Sequence, residues 1–154
     1  MKNSLPRSCS GFTLIEVLTV VAIVAIISAI AIPNYIEWSR AAKLRSAVND
    51  LTSDLAMARL RAIKGGAPVK VTFTTDGYMV FIDDNDNHVW DSGEPLLRNK
   101  QYPAGVIMSG CTFTADRAIF QRTGASKAGE ITLSRGTNQQ NTIFVNAVGR
   151  IRVQ

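Results

Sequence analysis

The chain is poor in the side chains that do chemistry. Among its 154 residues there is one histidine, His88, and there are two cysteines, Cys9 and Cys111. A nucleophile needs a base beside it. Here the only imidazole sits in an acidic stretch, and Cys111 lies in an apolar run between Val106-Ile107-Met108 and Phe113 with no base near it. Asp83 and Asp84 are adjacent, so on a strand their carboxylates diverge. Enzymatic catalysis is therefore not expected. There is no internal repeat.

Charge is scarce near the start. From Phe12 to Ile32 the sole ionisable side chain is Glu16. Those 21 residues span about 31 Å as a helix, against about 30 Å of bilayer hydrocarbon. A carboxylate in such a helix costs about 2.5–3.5 kcal/mol at mid-bilayer and less near the interface, so it calls for a compensating partner. Lys2 and Arg7 precede Gly11, a small residue where a peptidase would cut on the cytoplasmic face. Cutting there frees the α-amine of Phe12, a cation for Glu16 of a neighbouring copy. A secretory signal fits worse, because the apolar run is too long and lacks a small-residue cleavage site at its far end. Cys9 precedes that run instead of following it, which excludes a lipoprotein signal. Arg40, Lys43 and Arg45 follow the span, so flanking charge says little about orientation.

Gly11-Phe12-Thr13-Leu14-Ile15-Glu16, the apolar helix behind it and Pro33 resemble the class III signal of type IV prepilins and type II secretion pseudopilins. The resemblance implies a leader, residues 1–11, removed by prepilin peptidase between Gly11 and Phe12, with N-methylation of Phe12. It implies a transmembrane assembly helix over 12–34, with Phe12, Glu16 and Pro33 serving assembly, and a periplasmic domain over 35–154. The expected partners are other pilin or pseudopilin subunits, prepilin peptidase and an inner-membrane assembly platform. The expected location is the bacterial inner membrane, single-pass, with assembly into a type II secretion pseudopilus or a type IV pilus.

Removing the leader leaves 143 residues, enough for a long helix and one small globular domain. Cys111 then has no partner, so no intramolecular disulfide forms, and it reads as a small buried hydrophobe. Leu44, Val48, Leu51, Leu55 and Ala58 recur at helical spacing on one face; Lys43, Arg45, Asp50, Asp54, Arg59 and Arg61 occupy others. Gly65-Gly66 stops the helix. Phe12 to Lys64 thus reads as one helix kinked near Pro33.

Strands are expected at Val69–Phe73 and Tyr78–Ile82, joined by an Asp76-Gly77 turn, and at Gly105–Ser109 and Thr112–Thr114. More follow at Ala118–Phe120, Ile131–Leu133, Thr142–Val148 and Arg150–Val153. Gly124 to Gly129 and Gly136 to Asn141 read as polar loops. The plan is α+β, a long helix packed on antiparallel sheet. Ala56–Arg59, the stretch from Val80 through Leu97-Arg98, and Ile143–Val145 with Gly149–Arg152 resemble the GspH/FimT branch of pseudopilins.

Residues 65–97 carry one base and six acids; residues 98–154 carry eight bases and two acids. The basic half makes an anionic partner reasonable. Gly149-Arg150-Ile151-Arg152 puts two guanidiniums on one side of a strand, suited to clamping phosphates. A Gly-Arg-x-Arg ending resembles the DNA-binding motif of FimT-like minor pilins in DNA uptake, and Lys127, Arg135 and Arg122 are candidates to widen the patch. The alternative is a charged edge strand protected from aggregation.

In the acidic stretch, Asp83, Asn85, Asn87, Asp91 and Glu94 fall at the first, third, fifth, ninth and twelfth places of a calcium loop. His88 takes the sixth place, where the sharp turn wants glycine, and no helices flank it. The alternative is a solvated turn built from Asx motifs. No other cofactor is implied.

Overall fold

The computed structural model describes residues 12–136 and 139–154. The leader, with Cys9 and Gly11, lies outside the described residues, as do Thr137 and Asn138 of the expected Gly136–Asn141 loop. Helix α1, Leu14–Gly65, runs for 52 residues with Pro33 inside it. The chain divides into two units, one reaching Trp38 and one covering Ser39–Gln154.

In the first unit the apolar side chains are exposed around the whole helix, from Leu14 to Ile36. By length and composition this helix is able to cross a membrane. It opens with a cap: the Glu16 amide donates to Thr13 Oγ1 at 3.3 Å. Thr13 and Glu16 have the spacing of a capping box.

The second unit holds the core. Leu44, Val48, Leu51, Leu55 and Ala58 form the buried stripe of α1 that the helical spacing predicted, joined by Ala47 and Ala62. Eight strands follow in two antiparallel sheets. Strands β1 (Val69–Thr74), β2 (Gly77–Ile82), β3 (Leu96–Gln101) and β5 (Arg117–Phe120) form one, in the order β3-β2-β1-β5. Strands β4 (Ile107–Cys111), β6 (Gly129–Arg135), β7 (Gln139–Val145) and β8 (Ile151–Val153) form the other, in the order β4-β6-β7-β8. Val69, Val71, Phe73, Val80, Ala118 and Phe120 of the first sheet join Ile131, Leu133, Ile143 and Val145 of the second around the helix stripe. The architecture is the α+β plan read from the sequence.

Several local expectations shift. The β1–β2 turn is Thr75–Asp76, and Gly77 already belongs to β2, where a Cβ would run into the Lys100 carbonyl oxygen. Strand β4 starts two residues later than expected, because Gly105 sits at φ +86° in a turn closed by the Val106 amide donating to Pro103 O at 2.9 Å. Thr112–Thr114 is not a strand; it leads into a short 3-10 turn at Thr114–Asp116. Strand β7 ends at Val145, leaving Asn146–Gly149 as the turn into β8. Strand β3 was not anticipated.

Asp54 is also reassigned. It lies on the buried stripe and accepts from the Tyr78 hydroxyl at 2.7 Å, with Lys100 Nζ at 3.1 Å and Arg98 Nε at 3.5 Å. Burial, with Asp54 beside it, drives the Tyr78 hydroxyl far above its ordinary range. Polar contacts thus join α1 to β2 and β3 at the edge of the core, with Asp54 and Tyr78 buried and Arg98 and Lys100 reaching in from the surface.

Candidate functional site

Three surfaces hold most of the residues singled out in the sequence. The first is the start of α1, where Phe12 is exposed and Glu16 lies in the first helical turn, near the positive end of the helix dipole. No neighbouring side chain of this chain claims the carboxylate among the described residues.

The second is the connection between β2 and β3. It folds over the outer face of the first sheet and buries Lys70, whose neighbours Val69 and Val71 point to the core. Lys70 alternates with them and so faces the outer side of the sheet, and the loop covers that side. The Lys70 ammonium pairs with the fully buried Asp83, donates to Asp86 Oδ1 at 2.7 Å and contacts His88 Nδ1. Arg117 in β5 ties the loop down by donating to the His88 carbonyl at 2.8 Å. Burial by itself would raise the Asp83 carboxyl, but the Lys70 ammonium and the His88 amide outweigh it and hold Asp83 below the usual carboxylate range. Asp86, exposed, is lowered chiefly by its hydrogen bond to Lys70.

Four of the five calcium-frame residues, Asn85, Asn87, Asp91 and Glu94, are engaged with one another. Asn85 Nδ2 and Asn87 Nδ2 donate to Asp91 Oδ2 at 2.8 and 2.7 Å. Their carbonyl oxygens accept from the Asn87 and Val89 amides, forming Asx turns. Glu94 accepts from the Asp84 amide at 3.0 Å and the Asp91 amide at 3.1 Å. Asp83, by contrast, turns inward to Lys70. The oxygen set that does converge is Asp83, Asp86 and, through nitrogen, His88, and Lys70 Nζ sits in contact with all three.

The third surface is the basic corner around the β7–β8 turn. Here the Gly149 amide donates to Asn146 O at 2.9 Å, and the Arg150 amide donates to Asn146 Oδ1 at 2.7 Å. Gly149 has φ +73°, and a Cβ on it would overlap the Gly124 carbonyl oxygen and come within 2.9 Å of Arg59 Nε. Arg59 reaches from α1 to donate to Gly124 O at 3.1 Å and to Val148 O at 3.0 Å. That guanidinium fixes the turn from which Arg150 projects. Arg150 and Arg152 line one groove of about 540 Å³ with Phe144 and Asn146. Phe144 stands opposite both Arg152 and Glu130 in the ladder.

Of the residues expected to widen the patch, Arg122 and Lys127 are exposed on the segment that approaches this turn, where the Ser126 amide donates to Ala147 O at 3.1 Å. Arg135 is elsewhere. It pairs with Gln139 at the other end of β6 and β7, five residues from Glu130 or about 17 Å along the strand, and packs on Gly105. Sequence reasoning missed Arg59 and Phe144 as parts of this corner. The two glycines it noted, Gly124 and Gly149, were the available signal, since both mark places where backbone and Arg59 crowd together.

Cys111 is half-buried. Burial pushes its thiol up to about 11, with Asp116 adding to the shift against the backbone amide of Phe113, so it stays protonated at neutral pH.

An apolar helix followed by an α+β domain with this sheet arrangement defines a pilin-like subunit. The description "Type II transport protein GspH" matches residues 47–149, and "Prokaryotic N-terminal methylation motif" matches residues 6–32. The chain belongs to the GspH family, a family of minor pilin and pseudopilin subunits and not of enzymes. It is 36% identical over 87 residues to the pilin-like protein PilA1 of Thermus thermophilus, covering 54% of each chain, so it spans about half the length of that relative. Its fold resembles the minor pseudopilin EpsH of Vibrio cholerae (TM-score 0.59, 12% identity, 73% of this chain and 96% of that one). It also resembles the type IV minor pilin FimU of Pseudomonas aeruginosa (TM-score 0.57, 17% identity, 72% and 87%). The E. coli GspH solution structure is similar as well (TM-score 0.57, 12% identity, 74% and 89%).

Proposed function

We propose that the chain is a structural subunit of a type II secretion pseudopilus or a type IV pilus, matured by prepilin peptidase at Gly11–Phe12 and assembled through its N-terminal helix. In this reading residues 12–34 hold it in the inner membrane, the domain from residue 35 faces the periplasm, and the Phe12 amine pairs with Glu16 of a neighbouring subunit. The observation that carries it is one lone carboxylate in the first turn of an all-round apolar, exposed helix.

Glu16→Gln is the discriminating variant. It keeps the oxygen of a capping box and removes the charge. The expected result is normal leader removal with loss of the subunit from sheared filaments or from the cross-linked pilin complex. Normal incorporation would end the pairing role of Glu16.

A second reading is favoured by one observation: Arg150 and Arg152 share a groove with an aromatic ring, Phe144. On it, the subunit also binds double-stranded DNA during uptake. A mobility-shift assay on residues 35–154, lost in Arg150→Ala/Arg152→Ala, tests it. That segment contains every residue of the core. No shift at micromolar protein would leave the structural reading alone.

A further inference from the structure

Strand β8 forms one edge of the second sheet. It pairs with β7 on one side, and among the described residues no strand pairs with it on the other. Antiparallel ladders alternate between residues that exchange main-chain hydrogen bonds and residues that do not. Thr142 and Gln154 exchange both of theirs, at 3.0 and 2.9 Å, and the Asn146 amide donates to Arg150 O at 3.1 Å. Phe144 with Arg152 is then the bonded pair between them, while Ile143 with Val153 and Val145 with Ile151 are non-bonded pairs. The amides and carbonyls of Ile151 and Val153 therefore point away from β7, along the open edge. They are the donors and acceptors that an added strand needs.

A second groove, of about 420 Å³, lies between α1 and the start of β8. Ala56, Leu60, Ile63 and Ile151 make its lining largely apolar, and Leu60 and Ile63 are about half exposed, at 50% and 47%. Arg152 alternates with Ile151, so it stands on the opposite face of the strand, paired with Phe144 in the ladder. Arg150 lines both grooves. Among the described residues no carboxylate lies within 4.0 Å of Arg150 or Arg152, whereas Lys70, Arg98 and Lys100 all have such partners.

A strand laid beside β8 turns successive side chains to opposite faces. One set meets the apolar groove and the other meets the arginines. We propose that the open edge of β8 binds an extended segment of a different polypeptide, added as a further antiparallel strand, in which apolar and acidic residues alternate. The main chain of Ile151 and Val153 supplies the hydrogen bonds, Leu60 and Ile63 take the apolar side chains, and Arg152 with Arg150 takes the carboxylates. A second copy of this chain is not the partner. Two β8 edges brought together would set the arginines of one copy against those of the other, and like charges across a strand pair are destabilising. The site shares Arg150 and Arg152 with the DNA-binding reading, but duplex DNA has no main chain that could complete a ladder.

The test uses the full-length protein in detergent micelles and a fluorescein-labelled seven-residue peptide of alternating valine and glutamate. In an antiparallel addition the residues opposite Ile151 and Val153 share their face, so the valine amides of the peptide point to β8. N-methylation at the valines removes those donors and is expected to weaken binding about tenfold, whereas N-methylation at the glutamates should change it less than about twofold. Val153→Pro deletes an outward-facing amide, a change that edge strands accept, so it should weaken binding while the melting temperature holds. Arg152→Glu should lose the glutamate peptide and gain one of alternating valine and lysine. No binding at millimolar peptide, or any other order of the two methylated peptides, would overturn the proposal. Equal binding of an all-glutamate peptide would overturn it too, marking the arginines as a general anion surface of the kind that DNA would use.

Discussion

At the scale of single residues, two positions carry more of the architecture than their types suggest. Lys70 is a buried cation whose ammonium answers the buried Asp83. Removing one member of a buried pair leaves the other charge stranded, which typically costs 3–5 kcal/mol, so Lys70→Met is expected to destabilise the domain by about 3 kcal/mol at neutral pH. The pH dependence follows from the depressed Asp83 carboxyl. A group whose folded value lies below its unfolded value contributes stability that is fully present above the unfolded value, near 4, and is lost as pH falls through the folded one. Wild-type stability should therefore hold above about pH 5 and decline below about pH 4. In Lys70→Met the stranded carboxyl takes up its proton readily, so the gap between the two proteins should narrow towards acid. Urea melts across that range measure it; a gap constant with pH would mean that Lys70 acts by packing alone. Gly149 is the other position. Its φ of +73° and its contact with the Gly124 carbonyl leave no room for a Cβ. Gly149→Ala should cost about 2 kcal/mol, while Gly93→Ala, with nothing within 4 Å, should be close to neutral in the same melts.

At the scale of elements, the β2–β3 connection behaves as a closed hydrogen-bonded unit. A cation at the centre of the calcium frame would meet amide N–H groups of Asn85 and Asn87 already turned to Asp91, and the ammonium of Lys70 beside Asp83. Millimolar calcium is therefore expected to leave the melting temperature unchanged. A site filled at a hundredfold excess over its Kd would add about 2.7 kcal/mol, which the melt would register at once. The same loop shows what a sequence can and cannot display. The helix stripe was legible because its spacing is local: Leu44 to Ala58 repeat every three or four residues. Strand β3 was not, because its Arg98 and Lys100 are matched by Asp54 on α1, and its exposed pattern carries no alternation of its own. The burial of Lys70 was not legible for the same reason. What covers a strand's outer face is decided by a loop thirteen or more residues on, and no period within the strand records it. The distance of Arg135 from this corner was not legible either, because it depends on the β6–β7 register.

At the scale of the whole chain, charge is segregated by sequence. The acidic stretch builds β1, β2 and the loop over them, and the basic stretch builds β4 to β8 and the corner held by Arg59. A polyanion meeting this surface would displace about one condensed counterion for each phosphate neutralised. Its affinity then falls with a slope near −0.9 per phosphate in a plot of log K against log salt. If Arg150 and Arg152 each neutralise one phosphate of duplex DNA, replacing both by alanine should make that slope shallower by about 1.8. Arg135→Ala, on the far end of the sheet, should leave it unchanged, because packing on Gly105 keeps that side chain away from the groove. Binding isotherms for the three proteins at several salt concentrations provide the slopes. An equal change for Arg135→Ala would mean that DNA lies along the whole sheet and is not held at the corner. An unchanged slope in the double variant would assign Arg150 and Arg152 to subunit contacts and solubility alone, since a cation that touches no phosphate releases no counterion.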